Sequence, residues 1–489
     1  MPKFSIKHRK TGEVIFSGRG GSFKEVVQSA VLLGAASVAH TVLTSLRLKK
    51  AGKAKLYGAD LKTQDLSEID LTEADLVGSD LSNANLTGSC LKKAVLSRCE
   101  MTGANLTRTS LGDADMSQCN LSAAKFTKAV VENANLSGAN LKNADLSRLR
   151  LTKAVLADAN MQGVLLVSSD LSRNVISGNN LAGGDLSWGI FVGTRMDNAN
   201  LSQVNLEHAD LTGAKLSGSN LAGANLTSAN LQGADLSGAN LEKAKMSSAN
   251  LSGANLKGAK LSGAMLDGAK LIGTKAPQCD FSGADLSDTD ITNAVFSSAP
   301  MAGVKLLRVL STGANLSGAD LSNGSLVRAT LTGANLSGST LTHADCRQAV
   351  LDEADLSNAV MSSANLSEAA LNRSKQAGAD LTGANLTKAV LADSDLTGVR
   401  ASAADFTEAN LKNCVLDNAD LSNCNFTESN MTGIKMTGAS IAGSDLTRTD
   451  FSWSVLEKCN FSGVKIIRTS FRGAKLKEVR GIKFKQKTT

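Results

Sequence analysis

The sequence predicts an all-β solenoid, a narrow four-sided coil repeated along most of the chain behind a small α+β cap at the N-terminal end. Three observations carry that prediction. An apolar residue returns every five positions, without one break in phase, from Leu56 to Leu476. The positions between are filled by Ala, Asp, Asn, Ser, Thr and Gly. Rings are scarce, at 3% aromatic residues in a chain of 489, whereas a globular core of that length is normally built around many large rings.

The period of five decides the architecture. On an α-helix five residues advance by about 500°, so the apolar residues would spiral over every side. On a straight strand an odd period sends successive residues to opposite faces. Asp, Asn, Ser and Gly favour turns over strands. The chain must therefore turn once per repeat and keep each apolar residue pointed inward. A turn of about 90° closes a coil in twenty residues, and neighbouring coils stack about 4.8 Å apart. Like residues twenty apart support this count: Phe406 with Phe426, Phe451 with Phe471, and Cys99 with Cys119. The expected product is one continuous rod of about 21 coils, roughly 100 Å long.

Within a repeat, the central residue and the residue two before it should face inward, and the other three should face water. The central series is Leu, Met, Phe, Ile or Val throughout except at Ala276, Ser311, Cys346, Gln376 and Ala401. The second inward position is mostly Ala, which sets how narrow the interior is. Six of the eight cysteines (Cys99, Cys119, Cys279, Cys414, Cys424 and Cys459) occupy that same position and read as small apolar fillers.

The ends need covering, because stacked β-coils present open edges. Residues 4–16 read as a hairpin turning at Lys10, Thr11 and Gly12. Ser22 to Glu25 forms a capping box for a helix to about Leu33, with Gly34 placed to stop it. Residues 35–55 continue the five-residue phase in degenerate form, centred on Ala36, Thr41, Leu46 and Ala51. The uncharged stretch from Val26 to Leu46 is long enough to span a bilayer, but its Gln28, Ser29, His40 and Thr41 favour the degenerate coil. At the far end Ile482 and Phe484 alternate with Lys483 and Lys485, a pattern suited either to capping the last coil or to pairing with a second copy. The expected divisions are a cap with degenerate first coils over 1–55, the repeat over 56–476, and a basic tail over 477–489.

The motif Ala-Asp/Asn-Leu-Ser/Thr-Gly, as in ANLSGANLKNADLS at 134–147, resembles that of the pentapeptide-repeat family, and it covers about 86% of the chain. The resemblance implies a right-handed quadrilateral β-helix, and the hairpin and helix are similar to the cap of phage-encoded members. Several members imitate DNA and bind gyrase. Gyrase-protecting members often carry loops projecting from the coil, and none interrupts residues 56–476.

Charge is concentrated at the ends. The net +7 divides into +9 over residues 1–55, +4 over 477–489 and −6 between them. The basic balance therefore does not argue for direct nucleic-acid binding by the body. The cysteines form no CxxC pair and show no metal-ligand spacing with histidine, which favours a reduced, cytoplasmic setting. His208 and His343 fall on outward turn positions, and no base, nucleophile and pocket are brought together by the pattern. The Gly-rich run at 18–21 lacks the Lys-Ser/Thr of a phosphate loop and reads as a turn. No catalytic residue, cofactor or metal is expected.

Two surfaces stand out. Asp60, Asp65, Asp70, Asp75 and Asp80 occupy five successive outward positions, enough to ring one coil with carboxylates. Val175, Trp188, Ile190 and Val192, and separately Leu307 and Leu310, place apolar side chains where the repeat is normally polar. Such residues are enriched at interface cores; a local irregularity that buries them is the alternative. The expected function is a non-enzymatic, soluble protein-interaction scaffold, with a homodimer through one terminus as a further option. The competing expectation is a DNA mimic that inhibits or protects gyrase or another DNA-processing enzyme.

Overall fold

Where Asp or Asn precedes the central residue, each of the five backbone N–H groups in a repeat finds an acceptor, and the way it does so fixes the coil. In the computed structural model, which describes residues 3–7, 10–19, 21–32 and 55–482, the repeat at 80–84 shows the scheme. Leu81 N–H donates to the Glu100 carbonyl (2.7 Å), Asn83 N–H to Thr102 (2.9 Å), and Asp80 N–H back to Ala59 (2.9 Å). Ala84 N–H closes a tight turn on the Leu81 carbonyl at 3.0 Å. The fifth donor, Ser82 N–H, is taken by the Asp80 carboxylate at 2.9 Å. Three bonds thus run to neighbouring coils, one makes the corner, and one depends on a side chain.

This accounts for the composition of the motif. Asp or Asn before the central residue supplies the acceptor that the corner lacks, an Asx turn. The same bond recurs at Asp65 with Ser67 (3.1 Å), Asn135 with Ser137 (3.1 Å) and Asp380 with Thr382 (3.0 Å). Two residues after the centre, the backbone adopts left-handed φ, as in a type II turn. Gly213 sits there at φ 63°, but Asn83, Arg308 and Trp188 adopt it too, at 54°, 52° and 58°.

The chain forms two compact units, Met1–Asn240 and Leu241–Thr489. In both, residues twenty apart form parallel bridges, as Asp60 does with Asp80 and Asp395 with Val415, so each coil has four sides. In Met1–Asn240 the coil follows a hairpin of β1 (Lys3–Lys7) and β2 (Val14–Arg19) and a helix, α1 (Phe23–Leu32). Ser22 Oγ accepts from Glu25 N–H (3.3 Å), while the Glu25 carboxylate accepts from Gly21 N–H (2.6 Å). Both elements dock on the first coil: Asp60 N–H donates to the Lys7 carbonyl at 2.7 Å and Asp70 N–H to the Gln28 side chain at 3.2 Å. The run at 18–21 departs from the expected turn, because Gly18 and Arg19 complete β2, paired with Phe4 and Lys3. The helix stop at Gly34, the degenerate coils centred on Ala36, Thr41, Leu46 and Ala51, and Phe484 with its flanking lysines lie outside the described residues.

In Leu241–Thr489 the bridging lengthens locally into short parallel strands, β3 (Leu310–Thr312) with β4 (Thr330–Thr332), and β5 (Lys435–Thr437), β6 (Val455–Glu457) and β7 (Lys475–Lys477) in order. The pairing register is again twenty.

The interior follows the period as far as Phe461; beyond it the expected burial of the central series fails, with Ile466 and Leu476 exposed and Phe471 half-buried, because no further described coil covers them. Central residues such as Leu136, Phe191, Leu316 and Phe426 are completely buried, as are their small inward partners. The rings twenty apart stack: Phe406 on Phe426 at 4.9 Å and 7°, Phe451 on Phe471 at 5.2 Å and 3°. Polar residues at the small inward position use two devices: Ser89, Ser219, Thr289 and Ser339 donate to the carbonyl of the central residue three positions earlier, and others to that of the central residue twenty-three positions earlier. Ser79 bonds Leu56 (2.8 Å), Thr194 bonds Leu171 (2.8 Å) and Cys99 bonds Leu76 (2.9 Å) in the second way. All eight cysteines are free thiols, and only Cys90 is not buried. Burial pushes Cys346, Cys414 and Cys424 up to about 12, so these thiols remain protonated and unreactive at neutral pH.

Gln376 is the most polar of the five departures from the apolar series and is fully buried. Its Nε2 donates to Ser374 Oγ at 2.8 Å, Ser374 meets Ser394 at 3.2 Å, and Ser394 donates to the Leu371 carbonyl at 2.6 Å. Its Oε1 has no partner, and neither does the buried Ser311 hydroxyl.

Candidate interaction surfaces

The indole of Trp188 is held outside the coil by backbone geometry. It sits at the left-handed corner position and is 59% exposed. Gly189 behind it points inward, where even a methyl group would meet the Phe191 ring at 2.5 Å. Trp188 lies flat on His208 of the next coil, centroids 4.1 Å apart and planes 25° apart, and His208 Nε2 is 3.8 Å from the Glu207 carboxylate. Ile190 stands at the midline of the face that begins at this corner and is 44% exposed, and Val192 is half-buried at the following corner. Val175 is exposed on the adjacent face. The coil is regular through residues 173–193, so these side chains are displayed by the ordinary repeat and not hidden by a distortion of it.

Leu307 and Leu310 belong to a larger feature. Leu310 is 57% exposed at a face midline and Leu307 is half-buried at the preceding corner. Above Leu310 the same midline position carries Thr330, Val350, Ala370 and Val390, bridged in sequence. Sequence reasoning stopped at the first of these, although counting forward by twenty finds the rest. The corner beside the stripe is charged. Arg308 makes a bidentate pair with Asp288 (2.7 and 2.6 Å), Arg328 donates to Gln348 at 2.8 Å, and Gln348 donates to Glu368 at 2.8 Å. A shallow groove of about 330 Å³ runs along this corner past Leu307, Val327 and Arg347.

Trp453 was missed by sequence reasoning. It too occupies a left-handed corner, at φ 64°, is 67% exposed, and covers Gly473 in the next coil, where a Cβ would meet the indole at 2.5 Å. The usable signal was its place in the repeat, where Gly, Asn or a charged residue is usual.

The five acids serve the fold as well as the surface. Asp60, Asp65, Asp70, Asp75 and Asp80 accept from the N–H groups of Lys62, Ser67, Thr72, Val77 and Ser82. Hydrogen bonds from Ser67 hold the Asp65 carboxyl below the usual range. The five are spread over four faces, and only Asp60 and Asp80 share one. Among the described residues no group of His, Cys, Asp and Glu is placed to hold a metal ion, and no helix is long and apolar enough to cross a membrane.

Segments spanning 54–173, 180–301, 312–375, 377–441 and 444–480 match the family model for pentapeptide repeats. No curated protein sequence matches the chain. Among solved structures it is similar to HetL of Nostoc sp. strain PCC 7120, a pentapeptide repeat protein involved in regulating heterocyst differentiation. The two are 22% identical over 63% of this chain and 86% of that one, with a TM-score of 0.17. It is also similar to QnrB1, a plasmid-mediated fluoroquinolone resistance protein, at 16% identity over 42% of this chain and 91% of that one, TM-score 0.22. A thylakoid-lumen pentapeptide repeat protein of Arabidopsis thaliana is 27% identical over 21% of this chain and 65% of its own, TM-score 0.13.

Proposed function

The chain belongs to the pentapeptide-repeat family of right-handed quadrilateral β-helices, and from that premise we propose that it is a non-enzymatic, cytoplasmic scaffold that binds a protein partner without a cofactor. The observation that carries this reading is Trp188. A bulky residue in left-handed backbone is held at a cost of order 1–3 kcal/mol, and an indole that stays 59% exposed beside His208 recovers only part of it by burial. Folding alone would favour Gly or Asn there. A partner that covers the ring returns the missing burial, as buried Trp anchors do at interfaces, and Ile190 and Val192 extend the same face. The eight cysteines are free thiols, seven of them buried, which suits a reducing compartment.

The acids support DNA mimicry less well. Their midline positions are those the corner requires for its fifth hydrogen bond, and their spread over four faces leaves two at most for any one partner.

The test begins with affinity capture on the full chain, identification of the partner, and measurement of its binding to two variants. Trp188→Ala should keep the wild-type circular dichroism and melting curve while weakening binding about tenfold or more, equivalent to about 1.4 kcal/mol. Asp60→Asn/Asp65→Asn/Asp70→Asn should bind normally. The reverse pattern, with competition by duplex DNA and a steep salt dependence, would establish mimicry instead.

A further inference from the structure

The Leu310 face departs from the usual repeat along its midline. At its midline, Leu310, Thr330, Val350, Ala370 and Val390 replace the Asp or Asn that caps the N–H two residues on in most other repeats. At the preceding corner, Arg308, Arg328, Gln348, Glu368 and Lys388 all hold left-handed φ, between 52° and 59°. The following corner relaxes to glycine at Gly313 and Gly333. Five successive losses of that cap on one face point to a requirement other than folding.

The pattern answers itself when reversed. Consider a two-fold axis lying across the face, midway between the coils of Thr330 and Val350, with a second copy laid antiparallel on the first. Thr330 then meets Val350, and Leu310 meets Ala370, a large side chain on a small one, while at each end Val390 falls opposite Asp290. Along the charged corner Arg308 meets Glu368, Asp288 meets Lys388, and Arg328 meets Gln348. Along the other corner Gly313 and Gly333 leave room for Arg373 and Glu353, which are themselves paired at 2.6 Å. Each contact occurs twice, as an isologous interface requires.

We infer that this face of Leu241–Thr489 is a lateral self-association site for a second copy of the chain. An amphipathic helix could cover the stripe, but it would not call for a charge order that complements its own reversal. The contact spans five coil spacings, about 24 Å, and is one face wide. That falls below the roughly 1,200 Å² total of stable complexes, which places it in the weak and reversible class.

Sedimentation equilibrium of the full chain at low ionic strength, from about 1 µM to about 1 mM, measures it. The expected result is a monomer–dimer equilibrium that salt weakens and that Val350→Lys abolishes. Arg308→Glu and Glu368→Arg should each weaken association about tenfold, and the two together should restore it to within about threefold of wild type. Within one chain these residues are three coils, about 14 Å, apart, so restoration reports a contact between copies. If either variant fails to fold by circular dichroism, Asp288→Lys with Lys388→Asp makes the same comparison. A monomer at every concentration, association indifferent to Val350→Lys, or a double variant no better than its parents would each overturn the inference.

Discussion

Replacing Gln376 with Leu should stabilise the protein. The amide fills a position that is apolar in nearly every other repeat; its Nε2 is bonded to Ser374 and its Oε1 has no partner. A buried acceptor left without a donor costs about 1–3 kcal/mol, and Leu removes that cost while keeping an apolar body of similar size. For a unit of this length each kcal/mol moves the melting temperature by about 2–4 °C, so a rise of about 2–12 °C is expected by calorimetry or circular dichroism. Repeat arrays lose two-state behaviour as they lengthen, so amide exchange around residues 371–396 provides the local reading. A double-mutant cycle completes it. Ser374→Ala should cost more in the wild type, where it strands Nε2 as well, than in the Gln376→Leu background. An unchanged or lower melting temperature would refute the reasoning, and would mean that the site is built around the amide.

The caps and the thiols yield two more tests. Asp80→Asn keeps the acceptor for Ser82 N–H and should leave the melting temperature within a degree or two, whereas Asp80→Ala should cost about 1 kcal/mol. Ser67 and Arg347 hold the Asp65 and Asp345 carboxyls below their usual range. Their stabilisation is therefore complete above the unfolded value near 3.9 and is lost as pH falls through the lower folded values; melting temperature should be level down to about pH 4 and drop below it. Of the eight thiols, the half-buried Cys90 alone should react readily with a disulfide reagent in the native protein, and all eight in denaturant.

The coil was legible because its cause is periodic. A phase of five unbroken from Leu56 to Leu476 admits few chain paths. Like residues twenty apart, such as Phe406 with Phe426, supported a count of four sides, which the bridges at a spacing of twenty then supplied. The role of Asp80 was less so, since composition presents it as surface charge while the structure shows it accepting from Ser82 N–H. The left-handed corner at Trp188 was harder to read, because the local signal for it is glycine and only the place in the repeat marks it at a Trp. Ser79 and Cys99 read as fillers, and their bonds to carbonyls twenty-three residues earlier emerge only when the coils are stacked. Val350 and Val390 were within reach of the same count by twenty that found the rings.

Because each repeat makes one corner, length changes act on this protein as rotations. Removing twenty residues from the stretch between Leu310 and Val390 would delete one rung and leave every remaining column on its own side. Removing five would keep the core apolar and the hydrogen-bond scheme intact, yet swing everything downstream through a quarter turn. Val390 would then leave the Leu310 side for its neighbour. Which side chains share a side is thus set by arithmetic modulo twenty and hardly at all by packing. Insertion and deletion can therefore re-aim a docking surface in this architecture without passing through an unfolded intermediate sequence, a freedom that a globular core, where every element touches many others, does not have.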